Sequence, residues 1–379
     1  MKLYPKPQTA AQGVEPRGPN ILLIGWVGHP AESFYHWFKF HGCNVFWVGD
    51  HAADLDLQNI PSYPVNRYPG PMGLIDISER RMSLHSILDL LRDFRFDLIF
   101  HVQDWTRFTD YEKSPIPYVY YHTEPFYPHG VPQCAWEVVC PNTTMIEQTR
   151  SYFGNKYEYG LMPWCLRDDY RQIIVRNWAR FAVNRRRQLP LSFAGAADGV
   201  SLYQFRLATL KYLVENLGSD FYCKVTGFRK NENRKGNVPT PMLEHNDGHE
   251  KLRLKAHAYL GMLSRSKFGL NIPTHYGTNF RDMEVPATGA ILLTRDMPDL
   301  ESMGFHDGEN CAVYRTPEEA ADIVRSGFDP NVAMRGQMNV LHNHTYAARI
   351  PSILDGFATK GYIPDTYTIP DLETATIGG

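Results

Sequence analysis

The clearest candidates for acid–base chemistry follow two strand-like runs in the first half of the chain. Glu124 and His122 come directly after the apolar run Tyr118–Tyr121, and Asp104 follows the run Phe96–Val102. The carboxyl ends of parallel strands meet at one edge of a sheet, where a general base can reach an acceptor hydroxyl. We rank Glu124 first, His122 second and Asp104 third, and a purely structural role stays open for each.

A glycine-bearing loop joins the first strand to the helix that follows it. Its sequence, GWVGHP over residues 25–30, is an incomplete GxGxxG pattern and lacks the acidic partner of a dinucleotide site. The loop therefore gives no prediction of NAD-type binding. His29, in this loop, could contact a ligand at the end of the strand. It is explained equally well as a residue that caps the helix beginning at Pro30.

A second glycine, together with basic residues, marks candidate phosphate contacts in the second half. Gly195 ends the strand-like run SFAG, and Arg206 lies on the predicted helix that follows. The pair offers a close backbone approach and a guanidinium for a phosphate; the alternative is a loop glycine and a solvated arginine. Arg281 competes for the same role, and so does Lys267, which is equally well explained as a surface charge.

Two segments have the residue types of metal ligands. His245 and His249, with Asp247 and Glu250, lie in a loop rich in Gly, Asn and Asp, without a strand to fix ligand geometry. The Asp-Leu-Asp at 54–56 matches the DxD of metal-dependent sugar transferases of another fold, and chance is the simpler explanation. We predict that the protein binds no metal.

Short apolar runs alternate with helix-like segments along nearly the whole chain. The run Asn20–Trp26 is continuous, as in a buried parallel strand, and the same pattern restarts at Leu189. This alternation predicts an α/β chain of two Rossmann-like domains that face each other across an inter-domain cleft. The predicted domains are residues 1–166 and 167–350, followed by a C-terminal helix or tail at 351–379.

Composition excludes several classes of protein. Of 379 residues, 43% are hydrophobic and 21% are charged, which rules out disorder, collagen and a simple coiled coil. The chain has 39 Lys and Arg against 41 Asp and Glu, so no global positive field attracts nucleic acid. The six cysteines form no CxxC pair, and neither a signal-peptide core nor a membrane-length apolar run is present. We expect a soluble cytoplasmic protein, in the host cytoplasm if it is phage-encoded.

Four motifs in the second half occur in the order found in one group of glycosyltransferases. They are SKFGLN (266–271), FRDMEVPATGA (280–290), FHDGEN (305–310) and HTYAAR (344–349). Together they resemble the group 1 glycosyltransferases of the spore-maturation (CgeB-like) type, which have the GT-B architecture. A looser match begins near Leu189. The first half resembles the group only in its organisation and in the segment Pro117–Pro125.

The resemblance implies roles for individual residues. Glu284 would accept hydrogen bonds from the 2′- and 3′-hydroxyls of a nucleotide ribose; the alternative is a carboxylate favoured by the helix macrodipole. Related enzymes often have a second glutamate where this chain has Tyr276. Thr278 and Asn279 could instead supply backbone N–H groups to a pyrophosphate, and His29 would face the donor from the first domain. The implied donor is a nucleotide sugar, most simply a uridine diphosphate (UDP) sugar, with no tightly bound cofactor.

The acceptor stays open among glycans, small molecules and hydroxymethylated bases in phage-type duplex DNA. DNA would need phosphate contacts and aromatic surfaces for a flipped base. The candidate residues for both are Arg229, Lys230, Arg234, Lys235, Lys251, Arg253, Lys255, Trp105, Tyr120, Tyr121, Phe126 and Tyr127. Two other functions also stay open: a nucleotide-sugar epimerase of the same fold, and a non-catalytic binding protein, which the tyrosine at position 276 favours.

Overall fold

The chain forms two compact α/β units. The structure, a computed structural model, describes residues 18–25, 30–49, 62–64, 81–92, 94–102, 107–108, 110–123, 131–181, 187–196, 204–226, 256–273 and 277–364. The first unit contains the described residues up to Met162 and those from Tyr346 onward; the second unit is Pro163–Thr345.

The elements of the two units follow in chain order. The first unit contains β1 (Asn20–Ile24), α1 (Ala31–Phe40), β2 (Asn44–Gly49), β3 (Ser62–Pro64), β4 (Arg81–Met82), α2 (Leu84–Leu90), β5 (Leu98–Val102), β6 (Arg107–Phe108), β7 (Tyr118–Tyr121), β8 (Glu137–Cys140), α3 (Thr143–Phe153) and β9 (Glu158–Leu161). The second unit contains α4 (Asp168–Arg176), α5 (Trp178–Phe181), β10 (Leu189–Ala196), α6 (Gln204–Leu217), β11 (Phe221–Thr226), α7 (Ala256–Ser264), β12 (Ser266–Asn271), α8 (Arg281–Ala287), β13 (Ile291–Arg295), β14 (Ala312–Tyr314), α9 (Pro317–Ser326) and α10 (Pro330–Asn343), and the chain returns to the first unit with α11 (Tyr346–Thr359).

The first unit is built on a parallel sheet of seven strands in the order β3-β2-β1-β5-β7-β8-β9. Its central strands are apolar on both faces: every residue of β5 and β7 is buried. Continuous apolar runs of this kind suit strands that are covered by helices on both sides. The carboxyl ends of β1, β5 and β7 are adjacent, because these three strands are neighbours in the sheet.

The second unit is built on a parallel sheet of five strands in the order β11-β10-β12-β13-β14. Two hydrophobic clusters hold it together. One packs β10 and β12 against α6 and α9 and includes Leu210, Leu213 and Ala320. The other joins α7, α8 and α10 and includes Leu260 and Val340. The predicted α/β fold class, with two parallel sheets and their helices, is confirmed.

The last described helix differs from the predicted organisation. The sequence places residues 351–379 in a separate helix or tail, whereas α11 begins at Tyr346 and belongs to the first unit. Its buried residues Ile350, Leu354 and Phe357 form one apolar stripe. Tyr346 also packs against Phe34 of α1, with ring centroids 5.2 Å apart. The apolar stripe explains why the helix packs against the unit instead of extending from it.

Arg187, two residues before β10, is a buried arginine in the second unit. The side chain is 7% exposed. Its Nη1 donates to the carbonyl oxygens of Ser264 and Ser266, both at 2.9 Å, and its Nη2 donates to that of Thr288 at 3.2 Å. Ser264 ends α7 and Thr288 follows α8, so one guanidinium satisfies the terminal carbonyls of two helices.

Among the described residues, no helix is both long enough and apolar enough to span a bilayer.

Candidate functional site

The carboxyl ends of β10 and β12 mark the switch point of the second sheet. The two strands are hydrogen-bonded neighbours, but the chain runs from β10 to β11 on one side and forms β12 on the other side only later. Open α/β sheets bind ligands outside the carboxyl ends of their strands at such a point. This edge is therefore the place to look for a binding site.

Two arginines cross over this switch point. Arg206, on the helix after β10, donates from Nε to the carbonyl oxygen of Ile272, just past the end of β12, at 2.9 Å. Arg281, at the start of the helix after β12, donates from Nη2 to the carbonyl oxygen of Ala194, in β10, at 2.6 Å. Each arginine thus anchors its own helix to the end of the other strand, and two positive charges lie where a ligand would bind.

Phe193 and Gly195, both in β10, lie close to these arginines. The Phe193 ring centroid lies 4.7 Å from the Cζ of Arg281 and 5.8 Å from that of Arg206, within the range of cation–π attraction. A Cβ atom on Gly195 would lie 2.7 Å from Nη2 of Arg281. The predicted close approach at Gly195 is therefore made by the arginine, and a larger residue would displace the guanidinium.

Arg281 has one donor without an acceptor. Its Nε is buried and finds no hydrogen-bond partner. Buried N–H groups are almost always paired in native proteins, so this guanidinium is short of one acceptor at the edge where ligands bind. A phosphate oxygen has the charge and the acceptor capacity to supply it.

A buried polar network fixes the loop before α8. Asp282 is fully buried; its Oδ1 accepts from Asn271 Nδ2 at 2.6 Å and from Thr294 Oγ1 at 3.2 Å. Its Oδ2 accepts from the backbone N–H of Asn279 at 2.8 Å. Burial raises the pKa of Asp282 to about 6, against the lowering effect of these hydrogen bonds. The Asn279 N–H predicted to bind a pyrophosphate is thus already engaged, so a phosphate would have to compete with Asp282 for it.

Thr278 and Phe280 are anchored from the opposite side by Trp164. The indole Nε1 of Trp164 donates to the carbonyl oxygen of Thr278 at 3.1 Å, and its ring lies 3.9 Å from the ring of Phe280. Trp164 and Thr278 are both buried. The loop that leads into α8 is therefore held at both of its faces.

Glu284 lies one turn into α8 and is 9% exposed. Its Oε2 accepts a hydrogen bond from the hydroxyl of Tyr259, on α7, at 2.9 Å. Burial raises the pKa of Glu284, while the charges of Arg281 and Arg167 and the Tyr259 hydroxyl lower it. The position combines a buried carboxylate with two nearby guanidinium groups, which suits an acceptor for sugar hydroxyls.

Of the predicted acid–base residues, only His122 is among the described residues. It follows β7, its backbone N–H donates to the carbonyl of Val139 at 2.8 Å, and its side chain is 1% exposed. Burial lowers its pKa to about 4, so the imidazole is neutral at pH 7. Such burial favours a structural role for His122. His29, Asp104 and Glu124 lie outside the described residues.

Two of the aromatic residues predicted to hold a flipped base belong to the core instead. Tyr120 and Tyr121, in β7, are 1% and 2% exposed. A base cannot stack on a ring that is already covered, so this part of the DNA prediction is wrong. The other residues predicted to contact DNA, namely Trp105, Phe126, Tyr127 and the basic residues from Arg229 to Lys255, lie outside the described residues.

Of the remaining predicted positions, only Lys267 is among the described residues. Lys267, in β12, is partly buried, and Tyr276 is not among the described residues. The Asp-Leu-Asp segment and the loop of His245 and His249 are not described either. Within the part of the chain that the structure describes, no three His, Cys, Asp or Glu residues are grouped as metal ligands.

The sequence analysis named Arg206, Arg281 and Glu284 as candidates but did not name every residue that contacts them. Tyr259 lies on a helix whose apolar sequence, AHAYLGMLS, gives no sign of a partner for Glu284. The only sequence signal for Asp282 as a site residue is its place two residues before Glu284 in the same motif.

Known proteins can be compared with this arrangement. Residues 213–355 match the family described as Glycosyl transferase-like. The matched segment includes Arg281 and Glu284. None of the curated proteins matches the chain by sequence.

Solved structures share the fold across nearly the whole chain. A glycosyltransferase from Rickettsia africae has a TM-score of 0.56 and 12% identity, with 90% of this chain and 98% of that chain covered. Anabaena HepE in complex with UDP-glucose has a TM-score of 0.55 and 11% identity, with 90% and 100% covered. Sucrose-phosphate synthase from Thermosynechococcus elongatus has a TM-score of 0.53 and 10% identity, with 90% and 100% covered. The fold resembles that of GT-B glycosyltransferases.

Proposed function

We propose that this protein is a glycosyltransferase that moves a sugar from a nucleotide-activated donor to a hydroxyl acceptor. The crossed pair Arg206 and Arg281 at the switch point carries the proposal, because it sets positive charge where a diphosphate would leave. The family match and the GT-B fold support the same reading. The order of motifs in the second unit favours the CgeB-like group within these enzymes.

The donor proposed is a UDP-sugar. Structures of HepE, which shares the fold, contain UDP and UDP-glucose. In this chain Arg281 would supply its unpaired Nε–H to a phosphate oxygen, and Glu284 would accept from the ribose. Because Tyr259 already donates to Oε2, the contact with the ribose falls mainly to Oε1.

The reaction breaks the bond between the anomeric carbon and the diphosphate oxygen and forms a bond to the acceptor oxygen. UDP leaves with the electron pair, and the acceptor hydroxyl gives its proton to Glu124 in an inverting reaction or to the departing diphosphate oxygen in a retaining one. Positive charge from the arginines stabilises the leaving diphosphate. No step requires a metal bound by the protein.

We propose Glu124 as the acceptor-side carboxylate, with Asp104 and His29 as further candidates on the acceptor side. The strands that precede these residues, β7, β5 and β1, are adjacent in the first sheet. In an inverting reaction Glu124 removes the acceptor proton; in a retaining one, which the family resemblance favours, it orients the hydroxyl. Replacing it by Gln should lower turnover ~100-fold with UDP affinity little changed. Glu147→Gln, an exposed glutamate of α3, is the matched control.

The test of the function is a product screen. The protein is incubated with UDP-sugars and with separate acceptors: glycans, small hydroxylated molecules and hydroxymethylated duplex DNA. Release of UDP together with a glycosylated acceptor supports the proposal. Conversion of the donor to another free nucleotide sugar without any acceptor identifies an epimerase, and binding without turnover identifies a binding protein.

Duplex DNA enters this screen as one acceptor among the three. Transfer to it should weaken as salt rises, because phosphate contacts release counterions. Transfer to none of the hydroxymethylated duplexes removes DNA as the acceptor.

A further inference from the structure

Tyr259 is the group that holds the Glu284 carboxylate in place. Its hydroxyl donates to Oε2 at 2.9 Å, and both side chains are buried. A glutamate has three side-chain torsions, and a hydrogen bond from a buried tyrosine hydroxyl restricts the orientation of its carboxylate. The hydrogen bond from Tyr259 to Oε2 therefore also sets the position of Oε1.

Tyr259 is itself held by packing. Its ring centroid lies 6.0 Å from that of Tyr170 in α4, and the guanidinium of Arg167 covers the Tyr170 ring at 4.7 Å. Arg167 is fixed in turn by two hydrogen bonds to the Asp169 carboxylate, at 2.9 and 3.0 Å. The Tyr259 ring thus packs beside Tyr170 while its hydroxyl reaches Glu284.

The charge of Glu284 depends on its neighbours from three elements. Arg281 faces it from the same helix, and Arg167 and Asp169 face it from the start of α4, with Tyr259 contributing from α7. The arginines and the Tyr259 hydroxyl favour the ionised carboxylate, whereas burial and Asp169 oppose it. The ionised form accepts hydrogen bonds only, whereas protonation turns one of the two oxygens into a donor.

We propose that Tyr259 is a positioning residue that aims Glu284 at the ribose 2′-hydroxyl and so lets the site distinguish a ribonucleotide from a 2′-deoxyribonucleotide. This proposal rests on the proposed function, in which Glu284 contacts the ribose. The Tyr259 hydroxyl contributes to the selectivity through its hydrogen bond to Glu284, not through a contact of its own with the nucleotide.

The experiment compares UDP with 2′-deoxy-UDP by isothermal titration of the full chain. Wild type should bind UDP more tightly. Tyr259→Phe removes the hydroxyl alone, and it should lower the ratio of the two affinities about tenfold, the scale of one charge-assisted hydrogen bond. The loss should be larger for UDP than for 2′-deoxy-UDP, which keeps only the 3′-hydroxyl.

A pH series gives a second readout that a structural role would not move. Because the Tyr259 hydroxyl lowers the pKa of Glu284, its removal raises that pKa further. The loss of UDP affinity on acidification should therefore begin at a higher pH in Tyr259→Phe than in wild type.

Tyr362→Phe is the matched control. Tyr362 is also buried, and its hydroxyl donates to a glutamate, Glu158, at 3.2 Å, but in the first unit. It should leave the ratio and the pH profile unchanged.

The outcomes separate the two proposals. An unchanged ratio in Tyr259→Phe, or an equal loss of both nucleotides, overturns the role of Tyr259 while the proposed function stands. A wild type that binds UDP and 2′-deoxy-UDP equally overturns the ribose contact of Glu284 and the role of Tyr259 with it. A wild type that binds neither nucleotide overturns the proposed function as well.

Discussion

At the scale of single residues, burial decides whether a titratable side chain is charged near neutral pH. His122 is almost fully covered, and its pKa is lowered to about 4, from an ordinary value of 6.5. The unfolded chain takes up a proton as the pH falls through 6.5, whereas the native chain resists protonation until about 4. Stability contributed by the neutral imidazole is thus present above pH 6.5 and is lost between these two values.

We expect the free energy of unfolding to fall by roughly 2 kcal/mol between pH 7 and pH 5 through His122 alone. Urea unfolding at the two pH values should show a smaller pH dependence in His122→Gln than in wild type. The exposed His36, replaced by Gln, is the control and should keep the wild-type dependence. Equal dependence in all three proteins would show that His122 is not buried in its neutral form.

The sequence revealed chemistry at this scale only where a residue type stood in a recognisable motif. Arg281 and Glu284 were identified because they belong to one such motif. Tyr259 and Trp164 were not, because their partners lie 25 and 114 residues away in the chain. Hydrogen bonds between distant elements leave no periodic signal in a single sequence.

At the scale of elements, a buried arginine joins the ends of α7 and α8 to the start of β12. The Arg187 guanidinium reaches carbonyls from all three, and burial lowers its pKa to about 10, so it remains charged at pH 7. Removing it would leave these carbonyls without a donor in a water-free interior.

Arg187→Met should therefore destabilise the protein by about 3 kcal/mol, within the range for breaking a buried charged network. The midpoint of urea unfolding measures the change. The control is Arg325→Met, since Arg325 is half-exposed in an ion pair with Asp322 and should contribute less than ~1 kcal/mol. A shift in Arg187→Met no larger than in the control would contradict the structural role.

Strands were easier to predict than helices in this chain. β1 and β7 lie in short apolar runs, which the sequence shows directly. The helix α3 was missed because only Met145 and Thr149 are buried along it. The predicted C-terminal helix or tail begins at residue 351, whereas α11 begins at Tyr346 and contains Pro351. Weak amphipathicity hides a helix that tertiary packing stabilises, and an internal proline obscures where a helix begins.

At the scale of the whole molecule, the chain consists of two α/β units. In the function we propose, arginines of the second unit, rather than a metal, neutralise the diphosphate of the donor. Transfer activity should therefore survive dialysis against a chelator largely intact. Activity that is lost on chelation and restored by manganese would contradict this prediction. The Asp-Leu-Asp segment at 54–56 would then be the candidate metal site.

The most direct measurement is the affinity of the second unit's site for UDP, in the full chain, before and after loss of the Glu284 carboxylate. The account predicts that wild type binds UDP by isothermal titration and that Glu284→Ala weakens binding by ~1.5 to 3 kcal/mol, the value of a hydrogen bond to a charged group. Glu215→Ala, an exposed glutamate of α6, should bind as wild type does. A Glu284→Ala protein that folds and binds UDP as tightly as its parent, or a wild type that binds no nucleoside diphosphate, would contradict the account.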